Sequence, residues 1–236
     1  MLALDVILAG RRALLVVAVD AEANALRRGF GLAEASHAAW SCVELTDRLD
    51  LVVTGVGKSN AAGATARTLA PIRHAAVLNV GIAGALPREG AEPLALASLV
   101  AATQSTLADE GMLAPTGFQS LAQMGFAPMP ASGADGMSVA AHAPLLEALG
   151  PLVNATDPVA TVSTCSANDA LARDVALRTG ALAEAMEGAA VGTVALALHV
   201  PFLEIRAISN TTGDRDRQTW NIRAALDALA RLAATL

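Results

Sequence analysis

The 236-residue chain has no tyrosine, four phenylalanines, two tryptophans, two cysteines and one lysine among its 16 basic residues. With few rings to stack on bases, and 22 acidic residues giving a net charge of −6, it lacks the surface that nucleic-acid binding demands. Cys42 and Cys165 lie far apart and fit no C-x-x-C spacing, which excludes a cysteine metal knuckle or a dithiol pair and suits a reducing compartment. The longest stretch without charge, 111–134, is interrupted by Pro, Gly and Gln, whereas a membrane span needs about 20 predominantly apolar residues. The segment MLALDVILAGRR carries its arginines after the apolar part, the reverse of a secretory signal. A soluble, cytoplasmic protein with neither nucleic-acid nor membrane partners is expected.

What the chain has is apolar mass: 54% of it is hydrophobic and 16% charged, enough for a sizeable core. Its length corresponds to about 1.6 average domains. It contains no repeat or low-complexity linker, so a single domain over 1–236 is expected. Short apolar runs predict strands at 13–19, 49–54, 75–79, 97–102, 160–163 and 202–208. Alanine-rich segments predict helices at 22–28, 60–69, 169–178, 188–199 and 222–233. The alternation reads as an α/β fold, with nearly continuous apolar strands covered by helices on both faces. The stretch 109–138, rich in Gly, Pro and Met without a period, reads as a functional lid or an interface.

Two glycine motifs fail as phosphate loops. Gly57-Lys58-Ser59 ends like a P-loop, but Val52 stands where its first glycine belongs. Gly55-Val56-Gly57 lacks the third glycine of a dinucleotide fingerprint, since Asn60 occupies that place. A strand-to-helix turn capped by Ser59 or Asn60 is expected instead. A second cluster, Asn79-Val80-Gly81-Ile82-Ala83-Gly84, follows another strand and would let main chain approach a ligand, yet offers no cation for a phosphate. Glu22 opens a helix, where the helix dipole alone favours an acid and where a general base for water is the alternative. Glu187 enters a wholly apolar helix, which suggests a cavity-facing acceptor for hydroxyl groups. Arg206 to Asn210 end the last strand, and the charged segment 211–217 by itself reads as a solvated loop.

Five stretches in register, VDAEANAL (19–26), TGVGKSNAAGAT (54–65), LNVGIAGAL (78–86), AMEGAAV (185–191) and RAISN (206–210), resemble the nucleoside phosphorylase and nucleosidase superfamily. The resemblance implies one α/β domain whose central twisted mixed sheet curls toward a barrel between helices, working as a homo-oligomer. Phosphorolytic members carry Arg and Ser where this chain has Asn79 and Ile82, so water replaces phosphate as the implied nucleophile. Adenine-specific members carry Asp where this chain has Asn210; an amide donates toward O6 and N7 of a 6-oxopurine, which a carboxylate would repel. Together with the stretches 108–126 and 209–222, these departures resemble the futalosine hydrolase family. That family splits futalosine into hypoxanthine and dehypoxanthine futalosine in menaquinone biosynthesis, without metal or organic cofactor.

The resemblance implies Glu22 as the base for water, Glu187 with the Met186 backbone on the ribose, and Asn210 on the departing base. Ala83, Gly84 and Ser209 would line the substrate. Arg215 or Arg217, with Phe118, Phe126 or Trp220, are the candidates to meet the substrate's benzoate, although no spacing ties them to the site and surface ion pairs and core packing account for them more simply. The competing readings are an adenine-releasing methylthioadenosine or S-adenosylhomocysteine nucleosidase, a purine nucleoside phosphorylase, and a non-catalytic nucleoside-binding protein.

Overall fold

The computed structural model describes residues 3–129 and 135–236. In chain order the elements begin with α1 (Ala3–Leu8), β1 (Arg12–Val17), α2 (Asp20–Gly29), β2 (Cys42–Glu44), β3 (Leu49–Val53), α3 (Lys58–Thr68) and β4 (His74–Ala85). Then come β5 (Leu99–Leu107), the hairpin β6 (Gly111–Ala114) and β7 (Gly117–Ser120), β8 (Ser138–Ala140), α4 (Ala143–Leu149) and β9 (Ala155–Thr161). They are followed by α5 (Asp169–Thr179), β10 (Ala183–Ala185), α6 (Gly188–Ala197), β11 (Phe202–Thr211) and α7 (Ile222–Ala233).

One mixed sheet organises these elements in the order β10-β9-β5-β11-β4-β1-β3-β2, with β8 paired to β5. Its alternating side chains feed two cores. Leu15, Val17, Leu51 and Leu78 pack under the face covered by α2 and α7, where Leu26, Ala225 and Leu229 are buried. Leu14, Val16, Val52 and Val77 pack on the opposite face against Ala61 and Ala64 of α3 and Val191 of α6. This two-sided burial is why the strands are apolar throughout rather than alternating.

The long strand β4 closes the sheet on itself. Its first half pairs in parallel with β1, while its second half pairs in parallel with β11 and antiparallel with β10. The circuit β4-β11-β5-β9-β10 is therefore a five-stranded barrel. Ala85, Val100, Val159, Ala183 and Ile208 pack together within it. Small residues suit so narrow a barrel, where bulky side chains from every strand would not fit.

Every expected helix is present, with ends within two residues of expectation. The strands differ more. The glycine cluster expected to follow β4 is part of that strand, because the barrel needs residues without side chains where polar groups from other elements crowd in. A Cβ on Gly81 would lie 2.6 Å from a Glu22 carboxylate oxygen. β9 begins five residues before its expected start, disguised by Asp157 and Pro158, residue types that normally argue against a strand. The expected irregular stretch contains the β6-β7 hairpin, and its residues 130–134 lie outside the described ones. Gly57, not Ser59 or Asn60, is the N-cap of α3, at a φ of 95° that favours glycine.

At the far end of the sheet Asp50 is fully buried and anchors three partners. It accepts from Arg12 Nε at 2.8 Å, from Arg73 Nε and from His74 Nε2 at 2.9 Å. The other ring nitrogen, His74 Nδ1, accepts from the Ala70 N–H, which fixes the tautomer that donates to Asp50. Burial opposes the Asp50 charge, but hydrogen bonds from Arg73, Arg12 and His74 outweigh it and hold the carboxyl at about 2. A carboxyl depressed on folding stabilises above its unfolded pKa and loses that contribution as pH falls through the folded value. Asp50→Asn is expected to cost about 2 kcal/mol at pH 7, with the difference from wild type shrinking between about pH 4 and 2. Urea unfolding across that range checks it; a pH-independent difference would refute the linkage.

Candidate active site

The carboxyl ends of β1, β4 and β11, where parallel sheets bind ligands, open on a cavity of about 380 Å³. That size suits a small organic ligand. Ala18, Val19 and Glu22 form one wall, Ile82 to Gly84 a second, Glu184 to Glu187 a third, and Ser209 and Asn210 a fourth.

Glu22 reaches the cavity because β1 ends one turn before it and α2 has just begun. Its Oε2 accepts from the N–H groups of Ala18 at 2.8 Å and Val19 at 3.2 Å, and its Oε1 from the Ile82 N–H at 2.9 Å. Three backbone donors that could cradle an anion are thus already engaged by a carboxylate of the chain itself. Burial pushes the Glu22 carboxyl up from the ordinary range; the Arg206 charge and the Ile82 N–H oppose this, and Glu187 adds to it.

Behind Glu22 lies a buried charge cluster. Arg206 on β11 donates through Nε to Glu204 at 2.7 Å, through Nη1 to Glu187 at 3.3 Å, and through Nη2 to the Asn79 side-chain oxygen. Asn79 in turn donates to the Val16 carbonyl, and Glu204 also accepts from the Ser105 hydroxyl. The planar fork of an arginine suits three fixed partners in this way. Burial works against the Arg206 charge, while Glu204, Glu187 and Glu22 more than offset it and raise its pKa. Gly188 is required beside this cluster, since a Cβ there would collide with the Glu204 carboxylate.

Glu187 precedes α6, with its Oε1 accepting from the Gly57 N–H at 3.0 Å. The turn after β3, expected to be merely structural, therefore positions this carboxylate. Asn210 Nδ2 donates to the Thr211 carbonyl at 2.9 Å, and its Oδ1 accepts from the Ser209 hydroxyl at 2.8 Å. Because a carbonyl can only accept, the amide orientation is settled by that contact, and one N–H remains for a ligand.

Glu22, Glu187, Asn210, Ala83, Gly84, Met186 and Ser209 all line the one cavity. So do Arg215 and Trp220, whose guanidinium and ring stack with the carbon 5.0 Å from the ring centre. Three expected residues do not. Phe118 lies beneath the Arg178 guanidinium, at 4.2 Å, on a separate cavity with Ser120 and Asp135. Arg217 is turned outward by ion pairs to Asp169 and Asp214. Phe126 is exposed.

From the sequence no role was expected for Glu184, Glu204 or Arg206. Glu204 and Arg206 carried a usable signal, since charges two residues apart in an apolar strand share a face. Away from the cavity, Cys42, Asp50 and His74 approach one another as metal ligands would, but Arg12 and Arg73 already sit on the Asp50 oxygens and would repel a cation.

Residues 16–236 match the model of the phosphorylase superfamily. The chain is 35% identical over 238 residues to futalosine hydrolase of Streptomyces coelicolor, covering 94% of this chain and 95% of that one. It is 35% identical over 230 residues to futalosine hydrolase of Acidothermus cellulolyticus, covering 94% and 89%. In fold it is similar to the methylthioadenosine/S-adenosylhomocysteine nucleosidase of Neisseria meningitidis, with a TM-score of 0.72 and 21% identity over 95% of this chain and 97% of the other.

Proposed function

Since the chain belongs to the phosphorylase superfamily and, within it, to the futalosine hydrolases, we propose that it hydrolyses the N-glycosidic bond of futalosine, releasing hypoxanthine. The observation that carries the choice of water over phosphate is the saturation of the Ala18, Val19 and Ile82 N–H groups by Glu22. Asn79 is engaged by Arg206 and the Val16 carbonyl, and Arg206 by Asn79, Glu204 and Glu187, leaving little to hold a second anion.

The bond from the ribose C1′ to N9 breaks through an oxocarbenium-like state, as in glycoside hydrolysis. Glu187 accepts hydrogen bonds from the ribose hydroxyls, with the Met186 backbone beside it, and its charge favours the cationic sugar. Glu22 takes a proton from the water whose oxygen bonds to C1′. The free N–H of Asn210 donates to the O6/N7 edge of hypoxanthine, and the departing base acquires its proton from solvent. Arg215, stacked on Trp220 at the cavity wall, provides a cation and an apolar surface for the benzoate.

Exposed Met112, Leu113 and Phe126 in and near the hairpin, and Val56 at the cavity, support association of copies. Light scattering of purified protein should give a multiple of 23.8 kDa, and a monomer would refute it. No helix among the described residues is long and apolar enough to cross a membrane, and both cysteines are free, which suits a cytoplasmic enzyme.

The direct test incubates the protein with futalosine, inosine and methylthioadenosine, with and without phosphate, and identifies the released base. Hypoxanthine from futalosine, independent of phosphate, is expected. Adenine release or a phosphate requirement would overturn the proposal.

A further inference from the structure

One carboxylate on the cavity wall has no part in this mechanism. Glu184 in β10 is buried, and its oxygens accept from the Ser166 N–H at 2.7 Å and the Ser166 hydroxyl at 2.6 Å. No ion pair to it is present among the described residues, and a buried carboxylate without a cation is a poor device for stability. Each oxygen keeps a lone pair beyond its Ser166 bond.

The strand register places Glu184 opposite Asn210. Glu184 pairs with Gly84 from one side, and Asn210 pairs with the same Gly84 from the other. Residues paired in this way present their side chains on one face of the sheet, and at about 4.8 Å per strand the two Cα atoms stand about 10 Å apart. Between them is Gly84, where a Cβ would meet the Thr212 methyl at 2.8 Å and Asn210 Nδ2 at 3.1 Å. Glu184 and Asn210 line the same cavity, so a flat ring held there meets an amide N–H at one end and a carboxylate at the other.

A 6-oxopurine needs that pairing, because it offers acceptors at O6 and N7 and a donor at N1–H. We infer that Glu184, held by Ser166, accepts the N1–H of the purine and is, with Asn210, the determinant of 6-oxopurine specificity. The inference rests on the function proposed above and deepens it. Adenine presents a lone pair at N1, which would face the carboxylate, and an amino group at C6, which would face the Asn210 N–H. Both ends then mismatch.

The test compares wild type with Glu184→Gln on three substrates: futalosine, its 6-amino analogue, and 4-nitrophenyl β-D-ribofuranoside, which has no purine. The variant is expected to lose about 10²-fold or more in kcat/KM on futalosine. Its preference for the 6-oxo over the 6-amino substrate should fall, because a glutamine N–H can donate to the adenine N1. Hydrolysis of the nitrophenyl riboside should stay within about two-fold of wild type. Calorimetry should show that wild type binds hypoxanthine more tightly than 1-methylhypoxanthine and that the variant does not. An unchanged 6-oxo/6-amino ratio, or an equal loss on the riboside, would overturn the assignment while leaving the proposed hydrolysis intact. Wild type that releases no hypoxanthine from futalosine would overturn both.

Discussion

Glu22→Gln is expected to lower kcat on futalosine by about 10²- to 10⁴-fold, the range a positioned general base supplies, with a much smaller change in KM. The amide can neither take the proton of water nor satisfy the Ala18, Val19 and Ile82 N–H groups as the carboxylate does. The pH profile gives a second reading of the same role. Burial raises the Glu22 carboxyl above its ordinary range, and only the ionised form acts as a base. Activity should therefore fall as pH drops through that raised value, placing the acid limb of kcat above the ordinary glutamate pKa of about 4.3. In Glu22→Gln that limb should vanish from the residual rate. Steady-state kinetics from about pH 4.5 to 8 measures both. A variant with near wild-type kcat and an unchanged limb would remove Glu22 from the chemistry.

Arg206→Ala should be the most destabilising single change near the site, by about 3–5 kcal/mol, as is usual when one partner of a buried ion pair is removed. Its loss leaves Glu204 and Glu187 without their guanidinium, and Asn79 without its donor. Lysine should recover little, because one ammonium cannot meet three partners in the directions set by Nε, Nη1 and Nη2. Urea unfolding of the three proteins decides this; a loss below about 1 kcal/mol at pH 7 would show that the cluster is not held by its cation.

Much of the cavity was legible in the sequence because its residues sit beside local signals. Glu22 follows an apolar strand and opens a helix, Glu187 stands before an apolar helix, and Asn210 ends the last strand. Phe118 and Arg217 were misplaced because nearness along the chain was the only argument for them. The hairpin carries Phe118 to another cavity, and Asp169, 48 positions away, turns Arg217 outward. Glu184 left no readable mark, since one acid in a three-residue strand has no periodicity.

The amino-acid order by itself determined the α/β class, the five principal helices and the superfamily, since all of these are written in periods and motifs a few residues long. Only the tertiary structure decided that the glycine cluster is a strand of a closed barrel, that Arg206 is shared by two carboxylates and Asn79, and that Glu184 and Asn210 flank Gly84. Those relations join residues tens to more than a hundred positions apart, and they exist only once strand pairing and two-sided burial have fixed the register of the sheet.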